Sequence, residues 1–300
     1  MHQSACMTNH TFTLPDGRTL GYACYGPEHG QPVLYFHGTP SSRLEPCLTE
    51  IYGTPIEPLL HQHNLRLIAT DRPGMGVSTF HEARTFATVA ADVAALAASL
   101  QLPPCPVLCW SGGGPYALAF AQLHSAFVKS VFLVAAFTRS FSEADVYQKL
   151  GWNKVYFTTA QQAPPVLQGT LALVKHVKIK TPIHQHLYEL SNPDYALLKD
   201  VNHLNAFMQL TIKEAIKTST DGAVQEAALY FQPFPFSVTD MHVPLHFWWG
   251  TSDTMVPYIH AKHLEKRATH VKPHYKMGEG HISVYVNCIA EILQTITGTL

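Results

Sequence analysis

The chain carries little charge. Lysine, arginine, aspartate and glutamate make up 14% of its 300 residues and the formal net charge is −1, against roughly 25% charged residues in an average globular chain. No basic excess points to nucleic acid, and no polybasic run points to an anionic membrane. No segment reaches the ~18 consecutive apolar residues of a membrane span. The opening "MHQSACMTNHTFTLPDG" has neither a cationic start nor an apolar stretch of signal-peptide length, so a cytoplasmic protein without a stable membrane anchor is expected. Cys6, Cys24, Cys47, Cys105, Cys109 and Cys288 include no C-x-x-C pair. That removes the usual patterns of a zinc knuckle or redox dithiol and leaves buried free thiols as the expectation. No H-E-x-x-H occurs, and the two "HQH" triplets at 61–63 and 184–186 have no carboxylate or cysteine in a ligand pattern. They read as solvated surface histidines rather than metal ligands.

What is present is a large apolar fraction, 46%, on a chain long enough to bury a sizeable core. Residues 11–26 read as a hairpin around Pro15-Asp16-Gly17. Short apolar runs at 32–38, 65–76, 106–110 and 128–137 read as strands. "TFATVAADVAALAASL" (85–100), with Thr85 as N-cap, and "GPYALAFAQLHS" read as helices. Strands alternating with helices predict an α/β fold, a mostly parallel central sheet flanked by helices. Residues 138–236 break the pattern with helical stretches alone, ending in the proline-aromatic run "QPFPFS", which no helix interior accepts. Alternation resumes at "VPLHFWWG" (243–250), followed by a helix after Pro257, a strand at 271–277 and a last helix from about 282. The expected organisation is a core made of 1–137 and 237–300, with a helical cap over 138–236.

The stretch "CWSGGGPYALAFA" (109–121) concentrates the chemistry. Ser111 stands where a strand meets a helix, the setting of a nucleophile held on a sharp turn. Such a turn needs small residues two before and two after the serine, and Cys109 and Gly113 occupy those places. The plainer alternative is that Ser111 caps the helix before a glycine-rich turn. A serine nucleophile needs a histidine base and an acid that orients it. "WGTSDTMVP" places Asp253 past the end of one strand, and "GEGHISV" places His281 past the end of another. In a parallel sheet these strand ends share one edge, where ligands bind. Taken singly, Asp253 can be a turn residue and His281 a surface residue at a helix start. Taken together they follow Ser111 in the order serine, acid, histidine. Other histidines are worse placed: His274 lies within a strand, and His260 and His263 lie on a helix. Glu143 and Asp145 follow an earlier strand and are the alternative acids. The loop "FHGTPSSRLE" (36–45) offers the Thr39 N–H, and the turn itself the Gly112 N–H, as donors to a developing oxyanion. Pro40 has no N–H to give, and the loop can also be a plain Gly-Pro turn.

The pieces "HGTP", "DRPGMGVS", "CWSGGGPYALA", "GTSDTMVP" and "GEGH" together resemble the α/β-hydrolase superfamily, in its capped branch of small esterases, epoxide hydrolases and haloalkane dehalogenases. The resemblance covers 11–137 and 237–300. It implies a serine hydrolase with Ser111 as nucleophile, His281 as base and Asp253 as orienting acid. Thr39 and Gly112 become the oxyanion donors, and Asp71 and Arg72 supporting residues of a turn beside the site. Epoxide hydrolases and dehalogenases carry a nucleophilic aspartate where this chain has Ser111, which argues against both activities. No metal or cofactor is required, and the partner is a small-molecule substrate. The cap is rich in aromatics: Phe141, Tyr147, Trp152, Tyr156, Phe157, Tyr188, Tyr195, Phe207, Tyr230 and Phe231. Either they form its own small core or they line an acyl pocket. Its charges nearly balance, so a small or medium, mostly apolar ester is the expected substrate. Thioester, lactone, amide or carbon–carbon hydrolysis, or a low-turnover receptor on the same fold, are the alternatives.

Overall fold

The computed structural model describes residues 8–300; Cys6 and the first residues of the N-terminal stretch lie outside the described residues. In chain order the elements are β1 (Thr8–Thr13), β2 (Thr19–Tyr25), β3 (Gln31–Phe36), α1 (Leu48–Ile51), α2 (Ile56–His63) and β4 (Leu65–Thr70). Then come α3 (Phe86–Ser99), β5 (Cys105–Trp110), α4 (Gly114–Leu123) and β6 (Val128–Val134). After β6 follow α5 (Ala144–Tyr147), α6 (Asn153–Gln162), α7 (Pro164–His176), α8 (Asn192–Leu198), α9 (Val201–Met208) and α10 (Asp221–Leu229). The chain closes with β7 (Leu245–Gly250), α11 (Ile259–Arg267), β8 (Val271–Lys276) and α12 (His281–Thr297).

The eight strands form one sheet in the order β1-β2-β4-β3-β5-β6-β7-β8. β2 runs antiparallel to β1 and β4, and every pairing from β4 to β8 is parallel. The protein is therefore an α/β fold with a mostly parallel sheet. β5 is apolar and buried throughout, because its alternate side chains enter two different cores. Val107 and Cys109 of β5 join the core beneath α3 and α4, while Leu108 and Trp110 join the one covered by α2 and α12. Thr85 does cap α3: its hydroxyl accepts the Thr88 N–H at 3.1 Å.

Between β6 and β7 the described residues form helices and connecting segments, with no strand. Two long helical stretches of this insertion divide. Residues 143–157 break at Gly151, which sits at φ +55 in the left-handed region. Residues 193–217 break at Asp200, whose carboxylate accepts the Asn202 and His203 N–H groups and starts α9 afresh. Both signals are local: a glycine in the left-handed region and a capping aspartate. The short helices α1 and α2, ahead of β4, carry no strong periodic signal in the sequence. Among the described residues no helix is long and apolar enough to cross a membrane, and the five described cysteines are free and buried.

Candidate active site

β5 delivers Ser111 to the sheet edge. The backbone there turns through φ +53, a left-handed value for a residue that has a Cβ, which costs roughly 1–2 kcal/mol. Such strain persists only where the surroundings impose it. Here the turn is pressed against the neighbouring strand: a Cβ on Gly113 would lie 2.1 Å from the Phe36 carbonyl oxygen. Gly112 is equally confined, since its Cβ would fall 2.6 Å from both Thr39 Cγ2 and the Tyr230 hydroxyl. Cys109, two residues before the serine, is wholly buried in the core. The helix-cap alternative for Ser111 finds no bond to carry it, because no side chain caps the helix here.

Ser111 Oγ lies 3.0 Å from His281 Nε2, and His281 Nδ1 lies 3.0 Å from Asp253 Oδ2. Asp253 Oδ1 accepts the Met255 and Val256 N–H groups at 2.8 and 2.9 Å, so its two oxygens are fixed by different partners. His281 is not a surface residue; it is 5% exposed and stacks on Trp110 with ring centroids 5.1 Å apart. Glu143 and Asp145 are bound instead to Arg139 in an exposed cluster. His274 and His260 lie elsewhere, in β8 and α11.

The insertion helps place this histidine. Asp194 of α8 accepts the N–H groups of His281, Ile282 and Ser283 at 2.7, 2.9 and 2.9 Å. It is the N-terminal cap of α12, supplied from a distant stretch because Gly280 has no side chain to offer. Burial alone would lower the pKa of His281. The facing carboxylate of Asp253, with smaller contributions from Asp194 and Glu45, outweighs it and raises the value above that of free histidine. A base must be neutral to take a proton. The acid limb of any His281-dependent rate is therefore expected to lie on the alkaline side of 6.5. Glu45 is pushed up to about 7 by burial, so its ionisation falls in the same window and favours the imidazolium as it appears. In Glu45→Gln the limb of a pH–kcat/KM profile should move toward acid; an unmoved limb would remove Glu45 from this account.

The Thr39 and Gly112 amide N–H groups donate to no partner among the described residues. Their loop is held from behind. Arg72 donates to the carbonyls of His37 and Gly38, each at 2.5 Å, and is paired with Glu226 of α10 through Nε at 2.5 Å and Nη2 at 2.7 Å. The Thr39 hydroxyl also donates to Glu226. The Gly38 N–H is taken by Glu45, 2.8 and 2.9 Å from its two oxygens, and the Tyr230 hydroxyl donates to the Gly112 carbonyl at 2.5 Å. Asp71 holds Arg43, which also reaches Glu214 of the insertion at 2.7 Å. The sequence singled out Asp71 and Arg72 but not Glu45, Asp194, Glu214 or Glu226. The partners of Asp194, Glu214 and Glu226 are far away along the chain, those of Glu45 are near, and an acidic residue carries no local sign of burial in either case.

Ser111 and His281 face a cavity of about 500 Å³ between sheet edge and insertion. Of the aromatics in the insertion, Trp152, Tyr156, Phe157, Tyr188 and Phe207 line it. Phe141, Tyr147, Tyr195, Tyr230 and Phe231 pack within the two cores or against them. Among the described residues no lysine or arginine lines the cavity, and Glu45 is the one acid that does.

A strained serine turn at the end of a central parallel strand, with the sheet order above, defines the class as α/β hydrolase. Residues 31–287 match the family model described as the alpha/beta hydrolase fold, and the chain belongs to that family. It is 35% identical over 131 residues to a non-heme chloroperoxidase of Streptomyces lividans, covering 42% of this chain and 44% of that protein. It is 29% identical over 184 residues to the uncharacterized hydrolase YcgS of Bacillus subtilis (strain 168), covering 61% of this chain and 58% of that one. The chain thus spans about half the length of the curated relatives it matches. Among solved structures it resembles a carboxylesterase of the thaumarchaeon Nitrososphaera gargenis, with a TM-score of 0.72 and 17% identity over 97% of this chain and 100% of that one. At that identity the likeness is one of fold.

Proposed function

We propose that this chain is a serine hydrolase that cleaves a small or medium, mostly apolar carboxylic ester through an acyl-enzyme. The observation that carries this reading is the Ser111–His281–Asp253 chain of 3.0 Å contacts at the wall of an apolar cavity. His281 Nε2 takes the Ser111 proton as Oγ attacks the ester carbonyl carbon. Asp253 steadies the imidazolium, and the Thr39 and Gly112 N–H groups receive the oxyanion. Collapse expels the alcohol, protonated by His281. Water, deprotonated by the same nitrogen, then attacks the acyl-enzyme and releases the acid. No step calls on a metal or cofactor. Residues 138–236 act as a lid over the core formed by 1–137 and 237–300, and supply most of the cavity wall.

The cavity falls within the roughly 300–1,000 Å³ of pockets that take drug-sized molecules, and among the described residues its lining offers no lysine or arginine to an anionic substrate. Hydrolysis of p-nitrophenyl esters of graded acyl length should therefore peak at small or medium chains and fall sharply when the acyl group carries a charge. An optimum on anionic esters would overturn the substrate assignment. Failure of an activated phosphonate to label Ser111 would overturn the nucleophile. The chloroperoxidase relative supplies a second reading, in which hydrogen peroxide replaces water at the acyl-enzyme and a peracid leaves. Peracid release from ester plus peroxide tests it.

A further inference from the structure

Exposed apolar side chains and an excess of positive charge meet on one part of the insertion. From Val146 through Tyr188 the chain carries Lys149, Lys154, Lys175, Lys178 and Lys180 but no aspartate or glutamate, although the insertion as a whole is near balance. Two acids border this region and keep their charge: Glu189 accepts the Trp152 N–H at 3.1 Å, and Asp221 accepts from Gln168 at 2.8 Å; set against the five lysines they leave the region positive. Lys154 lies over the Tyr147 ring and Lys175 donates to the Lys217 carbonyl. Lys178 and Lys180 have no partner among the described residues.

The apolar component is ordered by helix geometry. α7 buries Leu167 and Leu171. On its other side Val166 and Leu173 follow at i and i+7, which places them on one face, and Val177 is the extended residue that ends the helix. They are 61%, 71% and 41% exposed, and Leu187 is 57% exposed. Val177 and Trp152 also line the cavity, and Trp152 is 39% exposed, so the cavity reaches the surface at this face. Apolar groups gathered in this way on a soluble protein mark a surface that meets something else.

We propose that this face docks on an anionic lipid surface and that the substrate is an amphiphilic ester passed from that surface into the cavity; the second half rests on the esterase reading, the first does not. Aliphatic side chains beside unpaired lysines match a lipid interface, where the first enter the acyl boundary and the second meet anionic headgroups. A second copy of this chain fits less well, because it would bring like charges together. A nucleic acid would have no use for exposed valine and leucine. There is no polybasic run in the sequence; the positive character comes from five lysines in a stretch, Val146 through Tyr188, that holds no acid of its own.

The test is co-flotation of the full chain with phosphatidylcholine vesicles, with and without phosphatidylserine, alongside hydrolysis of a short water-soluble ester. Wild type should float with the anionic vesicles, less so as salt is raised. A lysine near such a surface is worth roughly fivefold in partitioning, so Lys178→Glu/Lys180→Glu should lower binding about 25-fold or more. Leu173→Glu/Leu187→Glu should also release the protein. Both variants should keep soluble-ester turnover, since none of the four residues lines the cavity. Wild type that ignores anionic vesicles, or variants that bind as wild type does, would overturn the docking surface. So would light scattering that shows a dimer broken by Leu173→Glu without any vesicle binding. Vesicle binding by a protein with no ester turnover would leave the docking face standing and sink the esterase reading.

Discussion

Ser111→Ala is expected to lower kcat for p-nitrophenyl esters by about 10⁴- to 10⁶-fold, the loss typical of removing the nucleophile from a serine–histidine–acid set. KM should change little, because the hydroxyl is a small part of a cavity lined mainly by aliphatic and aromatic side chains. The variant should fold as wild type does. Alanine keeps the Cβ and hence the same strain at φ +53, and the packing of Gly112 and Gly113 is untouched. Loss of rate with an unchanged unfolding transition therefore separates chemistry from folding. Ser111→Gly sharpens the contrast: it should be as inactive, and about 1 kcal/mol more stable through release of left-handed strain. If either variant keeps a tenth or more of the wild-type rate, the nucleophile is not Ser111.

Glu226→Ala should be the most damaging substitution outside that trio, and should act on both stability and rate. Glu226 is wholly buried and receives Arg72 through two nitrogens, the Thr39 hydroxyl and, at 3.4 Å, the Tyr116 hydroxyl. Arg84 lies 3.6 Å away. Removing the carboxylate leaves the buried Arg72 guanidinium without its counter-charge, a change that typically costs about 3–5 kcal/mol. The same guanidinium holds the His37 and Gly38 carbonyls, so the loop carrying the Thr39 N–H loses its anchor. Losing one oxyanion donor typically costs about 10²–10³ in rate, and a displaced Thr39 should approach that loss in kcat. Glu226→Gln keeps the shape and one acceptor and should fall between. Denaturant unfolding and kcat measured on the same preparations check both parts. A stable variant with wild-type kcat would show that the Arg72–Glu226 pair does not hold the oxyanion loop.

The residues of the Ser111 site were legible because each stands at a strand end, and strand ends announce themselves locally. An apolar run of five to seven residues stops at glycine, serine or aspartate, and in a parallel sheet all such stops fall on one edge. Thr39, Ser111, Asp253 and His281 are each read from a short window for that reason. The glycines after Ser111 are visible as a cluster, but which close contact each one permits is not. The helices of the insertion are visible as stretches, and their breaks at Gly151 and Asp200 follow from single residues.

What holds those strand ends in register is written across long separations and has no local sign. Asp194 caps α12 from 87 positions away, and Glu226 reaches Arg72 across 154. Glu45 lies only seven residues from Gly38, yet in sequence it is one more acid in a loop. A carboxylate on the surface and one buried against a guanidinium are the same letter; burial and partner are properties of packing. The cavity is of the same kind: some of the aromatics in the insertion face it and others do not, a division no periodicity marks. Local hydrophobic pattern and turn chemistry were sufficient for the sheet and for the residues at its edge. Only the folded chain decided the shape of the cavity, the buried ion pairs behind the Thr39 loop and the exposed apolar side chains of α7, because each arises from residues that only the closing of the chain brings together.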